Sequence, residues 1–183
     1  MSPRNPRIYK SHVPPIWCPG CGDYAVLNGL MRAFARLDIA PENVAVASGI
    51  GCSSRFPAFL HTYGFHGVHG RALPLATGIK IGNPELTVVA VGGDGDGFSI
   101  GGGHIPHAAR RNVELPYIVM DNSIYGMTKG QPSPTSPLGT RRKASPYGTI
   151  EAPLNPLMMV LSYDATFVAR VFSGDFKQLQ AVF

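Results

Sequence analysis

The chain has 183 residues, a formal net charge of +5 and a pI near 9.3, enough length for one α/β domain with its own core. Charged residues are only 15% while Gly (22) and Pro (17) are abundant, which points to tight turns that approach a ligand closely rather than to long solvated helices. The basic residues are scattered apart from Arg110-Arg111 and Arg141-Arg142-Lys143, so no nucleic-acid partner is expected, and a diphosphate or carboxylate ligand uses the same positive balance.

Residues 1–7 lack the apolar core of a signal peptide, and no run of roughly 18 apolar residues follows, so a soluble, cytoplasmic protein with no membrane partner is predicted. The Pro-rich segment through Trp17 reads as an extended arm lying on the surface or on a partner. Cys18-Pro19-Gly20-Cys21 comes next. With Cys52 it makes three cysteines, an odd count that a secreted disulfide framework would not leave, and metal or redox use is the better reading. Asp23 is placed to cap a helix whose apolar residues Leu27, Leu30, Met31, Phe34 and Leu37 recur at three- and four-residue steps. Residues 44–47 and 86–91 are short β-rich runs ending in glycine loops, and both read as buried parallel strands. Residues 72–81 suit a crossover helix, residues 98–111 the next helix, and residues 116–120 the next strand. This order describes an α/β, doubly wound, mainly parallel sheet, whose ligands sit beyond the carboxyl ends of its strands. Residues 130–156 form a Pro-rich irregular stretch that reads as a lid or binding loop. Residues 175–183 read as a capped helix just beginning, and the expectation is one domain over 1–183 whose C-terminal part is missing.

Gly93-Asp94-Gly95-Asp96 closes one predicted strand and Asp121-Asn122 the next, so neighbouring strands would set the two side by side. A Mg²⁺ ion on a diphosphate needs six oxygens in a near-octahedral set. Asp94 offers a carboxylate, Asn122 an amide oxygen and Ile124 a main-chain carbonyl. The glycines let backbone N–H groups reach phosphate oxygens. This pattern resembles the Gly-Asp-Gly and Asn motif of thiamine-diphosphate enzymes.

Four further stretches are similar to the β subunit of 2-oxoacid:ferredoxin oxidoreductases: residues 17–22, Gly49-Ile50-Gly51-Cys52-Ser53, His69-Gly70-Arg71-Ala72-Leu73-Pro74, and Tyr125-Gly126-Met127-Thr128-Lys129-Gly130-Gln131. The resemblance runs in order over about residues 17–135. It implies the thiamine-diphosphate-binding fold, with Ile50, Gly51, Cys52, Ser53, His69, Gly93, Asp94, Gly95, Asp96, Asn122, Ile124, Gly126, Met127 and Thr128 around the cofactor. It also implies oxidative decarboxylation of a 2-oxoacid to an acyl-coenzyme A and CO2, with electrons passed to ferredoxin. Cys18, Cys21 and Cys52 would be three thiolates of a [4Fe–4S] cluster. The family's fourth cysteine lies beyond position 183, and no cysteine follows Cys52 here. Zinc, a dithiol pair and plain buried cysteines stay open beside the cluster.

Arg55 is the first candidate to hold a substrate carboxylate and Lys129 the second, for a distal acid or for coenzyme A phosphates. His69 is the candidate proton donor or diphosphate contact. The other histidines, Arg71 and Lys80 read as surface or structural, and the basic clusters as solvent-facing, with ferredoxin docking a weaker reading. Glu42, Glu85, Glu114 and Glu151 sit in no motif, so the glutamate that activates the pyrimidine ring is expected from an α subunit. Two cations favour 2-oxoglutarate as the acid, pyruvate next, with branched-chain and aryl acids open. A cluster-free thiamine decarboxylase or carboligase and a non-catalytic phosphate-binding module are the alternatives.

Overall fold

The computed structural model describes residues 4–183; readings that touch residues 1–3 lie outside the described residues. The chain folds in the order α1 (Asp23–Arg36), β1 (Val44–Ser48), α2 (Phe56–Phe59), β2 (Tyr63–His66), α3 (Ala72–Gly82), β3 (Thr87–Gly93), α4 (Ile105–Arg111), β4 (Tyr117–Met120), β5 (Ile124–Tyr125), β6 (Gln131–Pro132), α5 (Pro156–Leu161) and α6 (Phe176–Val182). Strands β2, β1, β3 and β4 form one four-stranded sheet in that order, parallel throughout, and β5 pairs with β6 in an antiparallel hairpin. The expected doubly wound α/β sheet is what the residues build.

The two faces of the sheet explain the helix placement. Val44, Val46, Val89 and Val91 point toward the face that buries Val26, Leu27, Leu30 and Phe34 of α1, together with Phe56 and Phe59. Ala45, Ala47, Val88 and Ala90 point to the other face, where Ala72, Leu73 and Ala76 of α3 meet Ile105 of α4. Small residues on both sides of this second layer bring α3 close to the strands. Strands this short, apolar on both faces, read as continuous runs because both faces are covered.

Register places the functional loops. Ser48 stands opposite Val91 and Gly93 opposite Met120. The chain leaving β1 at Gly49 therefore emerges beside Gly92, and Asp94 emerges beside Asp121.

Three local expectations are corrected. The N-terminal segment is not extended throughout and does not lie wholly on the surface: Pro6–Tyr9 is a 3₁₀ turn, and Tyr9 and Trp17 are buried. Trp17 sits at ring-centroid distances of 5.2 Å from Phe56, 4.9 Å from Phe59 and 5.2 Å from Tyr24, contacts that add to its area burial. Asp23 is not a cap, because Gly22 holds that position without a side-chain bond and Asp23 is buried in the first turn. The single helix expected over 98–111 is three pieces, a π turn over Asp96–Ile100, a 3₁₀ turn over Gly102–His104, and α4. The run Gly101-Gly102-Gly103 followed by Pro106 accounts for the break, since glycine and proline oppose a continuous helix. Strand β2 had no clear signal in the sequence and is exposed along its whole length. Among the described residues no helix is long and apolar enough to cross a membrane.

Tyr117 supplies a test of packing against the π turn. Its phenol is pushed well above the ordinary tyrosine value, first by burial and then by the Asp96 carboxylate. The folded state thus holds this proton more tightly than the unfolded chain does. The contribution is complete below the ordinary value near ~10 and is lost as pH rises past it. Urea unfolding at pH 9 and pH 11 should show a smaller alkaline loss for Tyr117→Phe than for the unaltered protein.

Candidate functional site

A cavity of about 1340 Å³ runs along β3 and β4 from Thr87 and Tyr117 to the carboxyl ends of the strands, where Ile50, Cys52, His69, Asp94, Asn122 and Thr128 line it. Gly51, Ser53, Gly93, Gly95, Asp96, Ile124, Gly126 and Met127 also line it, as does Cys21. The sequence-predicted cofactor residues are therefore gathered in one place. Arg55, Lys129 and Cys18 are not on its wall: Arg55 is half-buried in the turn after Cys52, while Lys129 and Cys18 are exposed. Arg71 reaches the Ile100 carbonyl and Lys80 the Pro84 and Leu86 carbonyls, which makes both structural.

Asp94 is almost fully buried at the end of β3. The Ser133 hydroxyl donates to its Oδ2, and Thr135 Oγ1 lies 2.9 Å from that oxygen and 2.7 Å from Asp121 Oδ1. Burial pushes the Asp94 carboxyl up, the two hydroxyls oppose that, and the Asp121 charge adds to it. A threonine hydroxyl has one proton and can serve only one of these carboxylates at a time. Two acids competing for one donor are relieved by a cation, and the residues fit Mg²⁺ in this respect. Asn122 turns its Oδ1 back to accept from Ile124 N at 3.1 Å, a tight turn that keeps the amide oxygen and the Ile124 main chain together. Among the described residues no three His, Cys, Asp or Glu side chains form a closed single-ion site. An ion here would complete its shell from Asn122, main-chain carbonyls and the phosphates it binds.

The hydroxyl set Ser133, Thr135 and Ser136 was missed in the sequence, where 130–156 reads only as a Pro-rich lid. All three are buried, and Ser136 Oγ donates to the Ser123 carbonyl at 2.6 Å. The signal was the hydroxyl-rich Ser133-Pro134-Thr135-Ser136 run just after the β5–β6 hairpin.

Asp96 does different work from Asp94. Its Oδ1 accepts from Ile50 N at 2.9 Å and from Gly70 N at 2.8 Å, so it ties the loops after β1 and β2 to its own. It is 3% exposed and its Oδ1 is engaged by the protein's own backbone, although the residue also lines the cavity. Two glycines make room for this arrangement. A Cβ on Gly49 would lie 2.0 Å from Asp96 Oδ2, and Gly70, at φ +70°, would place one 2.5 Å from Gly101 N. His66, read as a surface or structural residue, is exposed and has its Nδ1 2.8 Å from the Ser54 carbonyl and 3.0 Å from Ser48 Oγ, stitching the end of β1 to the Cys52 turn.

Cys18, Cys21 and Cys52 are all free thiols. Cys21 N donates to the Cys18 carbonyl at 3.0 Å, closing the Cys-x-x-Cys turn, and Trp17 Nε1 donates to the Cys52 carbonyl at 2.7 Å, tying the turn to the Cys52 loop. Burial pushes the Cys21 and Cys52 thiols up, and the neighbouring acid Asp23 pushes both in the same direction. Burial raises Asp23 itself to about 6, and its hydrogen bond with the Cys21 side chain opposes that rise. Thiolates in such a place need positive charge beside them, which iron or zinc would supply.

The chain was compared with known proteins. The model for the C-terminal TPP binding domain of thiamine pyrophosphate enzymes matches residues 49–183. The chain is 49% identical to the 2-oxoglutarate oxidoreductase subunit KorB of Mycobacterium tuberculosis, over 91% of this chain and 44% of that protein. It is 44% identical to subunit beta of 2-oxoacid:ferredoxin oxidoreductase 2 of Aeropyrum pernix, over 94% of this chain and 56% of that one. A solved 2-oxoglutarate:ferredoxin oxidoreductase from Magnetococcus marinus, with 2-oxoglutarate, coenzyme A and succinyl-CoA bound, superposes with a TM-score of 0.97 at 53% identity, covering 100% of this chain and 62% of that chain. The chain thus spans about half the length of the curated relatives it matches.

The contact between Gly49 and Asp96 gives a stability test. Gly49→Ala should cost about 1–3 kcal/mol by overpacking. Gly78→Ala in α3, where a Cβ meets nothing within 4 Å, should instead stabilise by roughly 0.5–1 kcal/mol. Chemical denaturation of the two variants separates these outcomes.

Proposed function

The chain belongs to the thiamine pyrophosphate enzymes, among the β subunits of 2-oxoacid:ferredoxin oxidoreductases, and from this premise we propose that it works in the oxidative decarboxylation of 2-oxoglutarate. The reaction converts a 2-oxoacid, coenzyme A and two oxidised ferredoxins into acyl-coenzyme A, CO2, a proton and two reduced ferredoxins. The observation that carries this reading is the single cavity that gathers the Asp94–Asn122 pair and two of the three cysteines. The bound 2-oxoglutarate and coenzyme A of the Magnetococcus relative support the choice of acid over pyruvate.

In this reading Asp94, Asn122 and the Ile124 carbonyl hold Mg²⁺ on thiamine diphosphate, and Cys18, Cys21 and Cys52 hold a [4Fe–4S] cluster whose fourth ligand lies outside this chain. When bound, thiamine diphosphate supplies nucleophilic and electron-sink chemistry at the 2-oxo carbon, and the cluster supplies one-electron transfer. The chain's own residues position and protect. The backbone N–H groups of residues 93–96 face the diphosphate region. Met127 and Thr128, on the turn between β5 and β6, close the cavity toward the substrate side, and His69 offers a ring nitrogen there to give or hold a proton. Lys129, next to cavity-lining Thr128, and Arg55, whose charge is felt at Cys52, are the cations assigned to the acid's carboxylates or to coenzyme A phosphates. An α subunit supplies the glutamate for the pyrimidine ring, so catalysis belongs to the assembled enzyme.

Anaerobic purification with the partner subunit tests this. Iron, sulfide and thiamine diphosphate should co-purify, and dye reduction should require both 2-oxoglutarate and coenzyme A. Cys18→Ser and Cys52→Ser should each lose most of the iron while keeping thiamine diphosphate. Thiamine diphosphate without iron in the unaltered protein would point to a cluster-free decarboxylase or carboligase, and coenzyme-A-independent turnover would contradict the reaction.

A further inference from the structure

His69 Nδ1 lies 2.7 Å from Asp96 Oδ1, off the line of a straight hydrogen bond, and the Asp96 side chain is 2% exposed. Two acceptors facing each other at that distance would repel, so Nδ1 carries the proton. Nδ1 has no access to solvent, yet the His69 side chain as a whole keeps 39% of its surface, which leaves the opposite Nε2 edge open to the cavity. The ring also meets Tyr125 at a tilt of 66° and a centroid distance of 6.4 Å, and Tyr125 is fixed in turn by donating to the Gly95 carbonyl at 3.1 Å. Asp96 is fixed because Ile50 N and Gly70 N both donate to the same oxygen, while Gly49, lacking a Cβ, leaves the room that Oδ2 occupies.

We propose that Asp96 is a positioning residue: it holds the proton on His69 Nδ1 and so presents Nε2 to the substrate side of the cavity. This rests on the reading that His69 acts on the reacting substrate. A buried carboxylate with two main-chain donors, a histidine and an unpaired second oxygen is costly unless that histidine shares its charge. Asp94 needs none of this for the diphosphate site. The two acids of Gly93-Asp94-Gly95-Asp96 thus divide the work, one placed for the proposed metal and the other for His69.

A double-mutant cycle on the assembled enzyme tests the assignment. His69→Gln should lower turnover, Asp96→Ala should lower kcat about 10–100-fold with thiamine diphosphate affinity little changed, and Asp96→Ala in the His69→Gln background should cost no more than about twofold. Equal losses in both backgrounds, or a loss confined to cofactor affinity, would overturn the positioning role while leaving His69 in place. Full turnover in His69→Gln would remove the His69 reading itself, and the positioning role with it. Should Asp96→Ala fail to fold, ¹⁵N shifts of the His69 ring in the unaltered protein decide: a protonated Nδ1 is expected, and an unprotonated Nδ1 would overturn the proposal.

Discussion

The parallel register of β1, β3 and β4 is the constraint on which the site depends. Because Ser48 pairs with Val91 and Gly93 with Met120, three chain segments leave the sheet at nearly one level and turn into loops that touch. Parallel pairing puts all three carboxyl ends on the same edge, and in open α/β sheets that edge is where ligands sit. Shifting β4 by one residue would carry Asp121 away from Asp94 and turn the side chains of β4 to opposite faces. The valine layer on the α1 face and the alanine layer on the α3 face hold that register, so the core is part of the site's geometry.

Burial gives the two acids of the β3 loop their separate characters. Asp94 is held by hydroxyls from residues 133–136, donors that a cation can supplement, whereas Asp96 is held by main-chain N–H groups that fix its place. On the far side of the cavity Trp17 performs the corresponding service for the cysteines, its ring packed on Phe56 and Phe59 and its indole N–H bound to the Cys52 carbonyl. A loop rich in thiols and charge is thereby anchored to the apolar core by one aromatic residue.

Much of this was legible in the sequence because it rests on local rules. Val44–Ser48, Thr87–Gly93 and Tyr117–Met120 announce themselves as short apolar runs ended by glycine or acid, and the period of Leu27, Leu30 and Phe34 marks α1. Asp94 and Asn122 could be paired from their places after consecutive strands. What escaped depends on contacts distant in sequence. Nothing near Ser133 or Thr135 says that they return 39 and 41 residues to cover Asp94. Nothing near Asp96 says that Gly70 N and Ile50 N both donate to its Oδ1. Tyr9 and Trp17, in a proline-rich segment, have no periodicity to reveal their burial. Strand β2 is exposed and short, so neither alternation nor an apolar run marked it. Arg55 and Lys129 were chosen by proximity in sequence to the cofactor loops, which does not fix where a long side chain reaches.

The central claim is that Asp94 anchors a divalent cation through which this cavity holds thiamine diphosphate. Calorimetric titration of thiamine diphosphate into the assembled protein, with and without Mg²⁺, tests it most directly when repeated on Asp94→Asn. Binding that requires Mg²⁺ and disappears in Asp94→Asn, while the iron content stays unchanged, is the predicted result. Undiminished, Mg²⁺-independent binding in the variant would contradict the account.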